Sequence, residues 1–235
     1  YQTAEAIRNN YFENNTLKNI SIKSLFNQDE WDLLPSQYKK KYNTNIHELY
    51  NITDWKWLIL IGLIHDLGKI LVLEEFGKFP EWFSVGDIYP LACKFHSSNI
   101  YYNSDFYKLS SDFNNDIYKT PLGIYKAHCG FNNIQMTFSH DFYFSNVLDK
   151  SNTYLPPEAI YIIRFHSFYS FHTPKNNKRG YTKYANEIDW INLPLLKILQ
   201  KADLYSKSRE IPNFEDYKEE IYNLINKYCP GKLKW

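Results

Sequence analysis

The chain is short of the residues that build crosslinked or zinc-stapled folds. Its 235 residues include only three cysteines, Cys93, Cys129 and Cys229. They are odd in number, far apart and never in a CxxC pair, which argues against a disulfide scaffold and against a zinc ribbon or finger. Such usage fits a reducing compartment, so a cytoplasmic location is expected. Net charge is also scarce. The formal value is +1, which leaves no strong field to attract nucleic acid or a membrane surface. Long apolar runs are missing: the longest, Trp57 to Ile64, is far below the roughly 20 residues a spanning helix needs. The opening "YQTAEAIRNN" is polar and helical in character, without the apolar stretch of a signal peptide. Neither a nucleic-acid nor a membrane partner is expected, and a monomer is. There is no internal repeat and no alternation of strand and helix signals. The chain starts at tyrosine rather than methionine, as a trimmed piece would.

What is present reads as helix. Gln2 to Tyr11 carries a helical pattern. Asn14 to Tyr50 is rich in Asn, Lys and Ser and reads as a surface insertion, spanning about residues 12–53. Within it Asn27 and Glu30 have the spacing of a capping box ahead of Trp31, Leu33 and Leu34. Asp54 can cap a helix running to about Leu73, apolar on nearly every side and therefore central. From Phe76 to about Leu122 the chain is irregular, with Pro, Gly, Asn and Asp throughout. Helical patterns resume over Phe131–Leu148, Pro156–Phe171, Leu193–Lys207 and Phe214–Lys227, with Pro156 and Pro157 where a first turn tolerates proline. The expected fold is all-α, one helical core with two long excursions.

The apolar helices contain polar residues that need a reason. An unpaired buried ionisable group costs several kcal/mol by rough transfer estimates, yet His65 and Asp66 interrupt "LIGLIHDLGK". His140-Asp141 and His166-Ser167 sit in two further helical patterns, and Asp203 in a fourth. One histidine on an apolar face is ordinarily a hydrogen-bonded core residue. Four helices each turning a His or Asp inward instead match the way helical bundles build metal sites. His65 and Asp66 lie roughly 100° apart around a helix, so both reach a centre above the edge between them, and a carboxylate there can bridge two ions. Lys69 follows His65 by four residues on the same face; beside cations it makes sense only with an anionic or hydroxyl-rich ligand between, and otherwise is a solvated lysine. Nitrogen and oxygen donors alone suit iron, manganese or zinc. Asp141 reads as a residue supporting the ligands or lying at the surface. His172 could lie near the site or at the surface. His96 and His128 fall in loops or helix ends, and His47 looks exposed.

"HDLGK" resembles the HD superfamily of metal-dependent phosphohydrolases. The longer blocks resemble one family more closely: "QTAEAIR" (Gln2 to Arg8), "EWFSVGDIYPLAC" (Glu81 to Cys93), "FSHDFY" (Phe138 to Tyr143), "LPPEAIYIIRFHSFYSFH" (Leu155 to His172), "KADLYSKS" (Lys201 to Ser208) and "INKYCPGKLKW" (Ile225 to Trp235). In this order they resemble myo-inositol oxygenase, across most of the chain outside the Asn-rich stretch. The resemblance implies an HD-like helical fold with a non-haem di-iron centre, Fe(II)/Fe(III), that cleaves myo-inositol with O₂ to D-glucuronate and water. It implies one catalytic domain over residues 1–235. His65, Asp66, His140, His166 and Asp203 would be iron ligands: Asp66 bridging, His140 and His166 on the second iron, Asp203 completing the first. Lys69 would be catalytic and contact the iron-bound inositol, whose other hydroxyls would bond Gly86, Asp87, Ser167 and Lys207.

The resemblance has two departures. The family's sixth ligand, a histidine just before the "QTAE" block, would fall before Tyr1, and His47, which the insertion separates from the matching helix position, is a candidate substitute. The Asn-rich stretch is longer than the family's connection. Two other readings stand beside the oxygenase: an HD-type phosphohydrolase on the same metal cradle, and a catalytically impaired relative lacking one iron ligand.

Overall fold

The structure, a computed structural model, describes residues 1–13, 17–84, 87–175, 177–205 and 213–235. Over these residues it is all-α, with isolated bridges and no strand. In chain order the helices are α1 (Gln2–Ile7), α2 (Gln28–Asp32), α3 (Ser36–Lys41), α4 (Ile46–Tyr50), α5 (Trp57–Ile64), α6 (Asp105–Lys108), α7 (Ser111–Asn114), α8 (His140–Lys150), α9 (Pro157–Phe165), α10 (Tyr169–His172), α11 (Glu187–Tyr205) and α12 (Lys218–Tyr228). None is long and apolar enough to cross a membrane.

The central helix is α5. Its sequence, WLILIGLI, is apolar on every side, and all of it but Leu63 is buried. A helix without a polar face must be enclosed, and α1, α9, α11 and α12 pack around it. Gly62 lets α1 approach α5 closely. A Cβ there would lie 2.7 Å from Ile7 Cδ1 and 3.0 Å from the Ala4 Cα of α1. Among the described residues over 77–130, the short α6 and α7 are the only α-helices.

Several boundaries differ from the sequence reading. The α1 helix ends at Ile7 and continues as a wider π turn, Arg8–Glu13. The α5 helix stops at Ile64, and Leu67–Val72 forms a 3-10 turn rather than more α-helix. Asp54 does not cap α5. Its carboxylate accepts from the Lys56 N–H and pairs with Lys227 and the Tyr228 hydroxyl. The pattern over 131–148 becomes helix only at His140, and that over 156–171 breaks at His166. The capping box forms as read, with the Glu30 N–H donating to Asn27 Oδ1 at 2.8 Å and the Asn27 N–H to Glu30 Oε2 at 3.1 Å.

The Asn-rich stretch is not peripheral, contrary to the reading of a surface insertion. Ile22, Leu25, Phe26, Leu34, Tyr38, Tyr42 and Ile46 are buried and belong to the main core. This stretch also explains why α11 begins at Glu187, six residues before the Leu193 expected. Pro194 lies inside α11 and has no N–H for the carbonyl of Trp190, four residues back. The Tyr42 hydroxyl donates to that carbonyl instead, and the Tyr50 hydroxyl donates to the next one, on Ile191.

Candidate metal centre

Three imidazoles converge because three helix ends converge. His65 follows the last residue of α5 and His166 the last of α9, and each sends Nδ1–H back to a carbonyl three residues earlier. His65 donates to Gly62 O at 3.0 Å and His166 to Ile163 O at 2.7 Å. These are carbonyls of the kind a helix leaves without partners at its C-terminus. His140 opens α8, whose Ser139 cap accepts from the Phe142 N–H. Its Nδ1 faces Phe83 O at 3.4 Å. Because a carbonyl only accepts, each Nδ1 is the protonated nitrogen, and each Nε2 offers a lone pair.

Those lone pairs point at one another and at carboxylates. His140 Nε2 and His166 Nε2 are 3.2 Å apart. The two oxygens of Asp66 divide between the histidines. Oδ2 lies 3.6 Å from His65 Nε2, while Oδ1 lies 3.3 Å from His140 Nε2 and 3.5 Å from His166 Nε2. Asp203 Oδ1 stands 3.6 Å from His65 Nε2 and accepts from the Thr3 hydroxyl of α1 at 3.2 Å. His65 Nε2 is buried with no hydrogen-bond partner. With the rings neutral these atoms are all acceptors, and they need a cation between them, a shared proton or a metal ion. Ligand atoms about 2.0–2.2 Å from a shared ion lie roughly 3.0–3.5 Å from each other, and these separations match. The donor set therefore fits metal: His65, Asp66 and His166 form one group able to hold an ion, and His140, Asp141 and His166 another.

Titration follows the same logic. Burial works against a charged Asp66, but the imidazoles of His140, His166 and His65, in their charged forms, hold it well below the usual carboxylate range. Burial likewise opposes a charged His140, yet Asp141 and Asp66 raise it to about 9. Asp203 is held down chiefly by the imidazole of His65 facing it. The carboxylates favour positive charge between the rings.

The rings are almost enclosed, while Asp66 and Lys69 are open. Their side chains are 39% and 42% exposed, and Lys69 Nζ donates to Asp66 Oδ2 at 2.6 Å. Lys69 is thus at the mouth of the cluster. Asp87 is tied beside the His166 turn: its neighbour Ile88 donates N–H to Ser167 O at 3.2 Å, and Asp87 Oδ2 accepts from the Ile100 N–H at 3.1 Å. Burial pushes the Asp87 carboxyl up to about 7, and its Oδ1 has no hydrogen-bond partner. Ser167 is buried, and its hydroxyl and N–H both donate to Asp141. Gly86 and Lys207 lie outside the described residues. His47 is exposed on α4, away from the converging helix ends.

Asp141 proves fully buried rather than at the surface. Its Oδ1 is 3.0 Å from His140 Nε2, and it clamps the Ser167 turn. Two contributors were missed. Thr3 holds Asp203, and only the "QTAE" block could have pointed to it. Tyr169 is raised to about 12 by burial and by the charges of Asp203, Asp141, Asp66 and Asp87. His172 is buried, with its Nε2 2.8 Å from His166 O.

Fold and site together define an all-α protein with a buried histidine–aspartate cluster able to hold metal. Residues 19–235 match the model of the family described as myo-inositol oxygenase, and the chain belongs to that family. That span takes in most of the Asn-rich stretch. The chain is 43% identical to an inositol oxygenase of Dictyostelium discoideum over 81% of its own length and 63% of the relative's. It is 45% identical to inositol oxygenase 2 of Arabidopsis thaliana over 77% and 56%, and 40% identical to the human inositol oxygenase over 77% and 61%. The chain thus spans less than two thirds of the length of these relatives.

Proposed function

We propose that the chain forms one catalytic domain of an inositol oxygenase, cleaving myo-inositol with O₂ to D-glucuronate at a pair of irons. His65, Asp203 and Asp66 would hold one ion, and His140, His166 and Asp66 the other. Bound iron would supply Lewis acidity toward a substrate hydroxyl and electrons for O₂. The remaining work belongs to side chains. Lys69, at the open mouth, would bind a hydroxyl oxygen and favour its ionised form, since a fixed ammonium stabilises developing negative charge. Asp87, with its free Oδ1, would read a further ring hydroxyl, joined by Ser167, Gly86 and Lys207. Matched polar partners of this kind reject ring analogues that lack a hydroxyl. Asp141 would keep the His166–Ser167 turn in place.

The observation that carries the reading is the division of Asp66's oxygens between two sets of imidazole and carboxylate donors. Iron content and O₂ uptake on the full-length protein test it. The expected result is a pair of irons per chain and O₂ uptake that requires myo-inositol. Phosphate-ester turnover with other divalent metals, without inositol-dependent O₂ uptake, would replace it with the hydrolase reading.

A further inference from the structure

A second polar cluster lies behind the centre, and the site as described does not use it. Glu30, Lys197 and His172 are buried, at 7%, 4% and 1% exposure. Lys197 Nζ donates to Glu30 Oε1 at 2.5 Å, to Gln200 Oε1 at 2.8 Å and to His172 O at 3.4 Å. All three ammonium hydrogens are thereby used. With its carbonyl on Lys197, Gln200 must present its amide N–H, which donates to Thr173 Oγ1. The Thr173 hydroxyl then donates onward to His172 Nδ1, 3.0 Å away. His172 is left with its proton on Nε2, and that proton goes to the carbonyl of His166 at 2.8 Å. Every donor in the chain has one direction.

We propose that Glu30 and Lys197 are positioning residues for the metal centre: they set the His172 tautomer, which anchors the His166 carbonyl and so aims His166 Nε2 at Asp66. The inference rests on the reading of His166 as a metal ligand. The physical reason is sign. Were Lys197 or its carboxylate partner lost, Gln200 could reverse and His172 could carry its proton on Nδ1. A lone pair would then face the His166 carbonyl, and the turn would lose its anchor. A buried ion pair gives little net stability over an apolar pair, but here it defines an orientation. Glu30 also places this control in the Asn-rich stretch, where the capping box holds its other oxygen.

The test uses the full-length protein. Nitrogen-15 histidine spectra of the metal-free form should show His172 as the Nε2–H tautomer. Co(II) titration should show His172→Phe losing about 10–100-fold in affinity at one of the two half-sites, as loss of a ligand's support typically does. His172→Gln, which can still donate to the carbonyl and accept from Thr173, should keep most of it. Glu30→Gln should shift the His172 signals and weaken the same half-site, and it carries the comparison if His172→Phe does not fold. Wild-type affinity in His172→Phe, equal losses in the Phe and Gln variants, or an Nδ1–H tautomer would overturn the inference. His166→Ala separates the two ideas: unchanged Co(II) stoichiometry there would remove the ligand reading itself.

Discussion

Replacing Gly68 with alanine tests whether the cluster depends on one close approach. The turn Leu67–Val72 crosses the start of α8. A Cβ at Gly68 would lie 2.2 Å from His140 O, 2.8 Å from its carbonyl carbon and 3.0 Å from its Cα. All three are backbone atoms at a helix start, so none can swing aside. Non-bonded heavy atoms prefer roughly 3.5 Å, so the segments must part by on the order of 1 Å. The parting falls between Asp66 and His140, whose Oδ1 and Nε2 are 3.3 Å apart. Overpacking of this kind costs about 1–3 kcal/mol. At about 2–4 °C per kcal/mol for a chain of this size, Tm should fall by roughly 2–12 °C. Metal sites tolerate errors of only about 0.5 Å, so Co(II) affinity should fall as well. Thermal unfolding of the metal-free and Co(II)-loaded variant measures both. A Gly68→Ala protein with the parent's Tm and affinity would refute the argument.

Three further outcomes are expected. Asp66→Asn offers a single neutral oxygen where two charged ones divide between half-sites, so metal content measured by elemental analysis should drop; retention of the full pair would remove Asp66 as the shared ligand. Lys69→Ala should keep its metal but bind myo-inositol about 10–100-fold more weakly, because a hydrogen bond to a charged group contributes about 1.5–3 kcal/mol; unchanged binding by calorimetry would make Lys69 a solvent-facing partner of Asp66 alone. The Asp87 carboxyl is raised by burial from 3.8 to about 7. The unfolded chain therefore releases this proton at lower pH than the folded one, and stability falls as pH rises through that window. Asp87→Asn should flatten the urea midpoint across the window and exceed the parent in stability above it; parallel pH profiles would count against a buried, protonatable Asp87.

The chemistry of the centre was legible because it is written in residue types. His65, Asp66, His140, His166 and Asp203 stand out as polar residues in apolar patterns, and the structure brings all five together. Their placement at helix ends was not legible. Periodicity over 131–148 and 156–171 continues straight through His140 and His166, and apolar spacing does not register a break that a neighbouring segment imposes. Gly68 shows the cause. Its glycine matters only because α8, some seventy positions later, passes over it.

The Asn-rich stretch failed as a reading for a related reason. Its helices α2, α3 and α4 have five or six residues each, too few for a helical period to emerge. Its buried Ile22, Leu25, Tyr38, Tyr42 and Ile46 are diluted among Asn, Lys and Ser. The same tyrosines account for the misplaced start of α11. The helix was expected only from Leu193, next to Pro194, whose missing N–H leaves the Trp190 carbonyl without its helical donor. Tyr42 supplies the missing donor, so the helix extends back to Glu187. Both errors therefore have one origin: the stretch taken for an excursion supplies the donor that lets α11 run through its proline, and α11 in turn presents Asp203 to the centre and Lys197 to the cluster behind it.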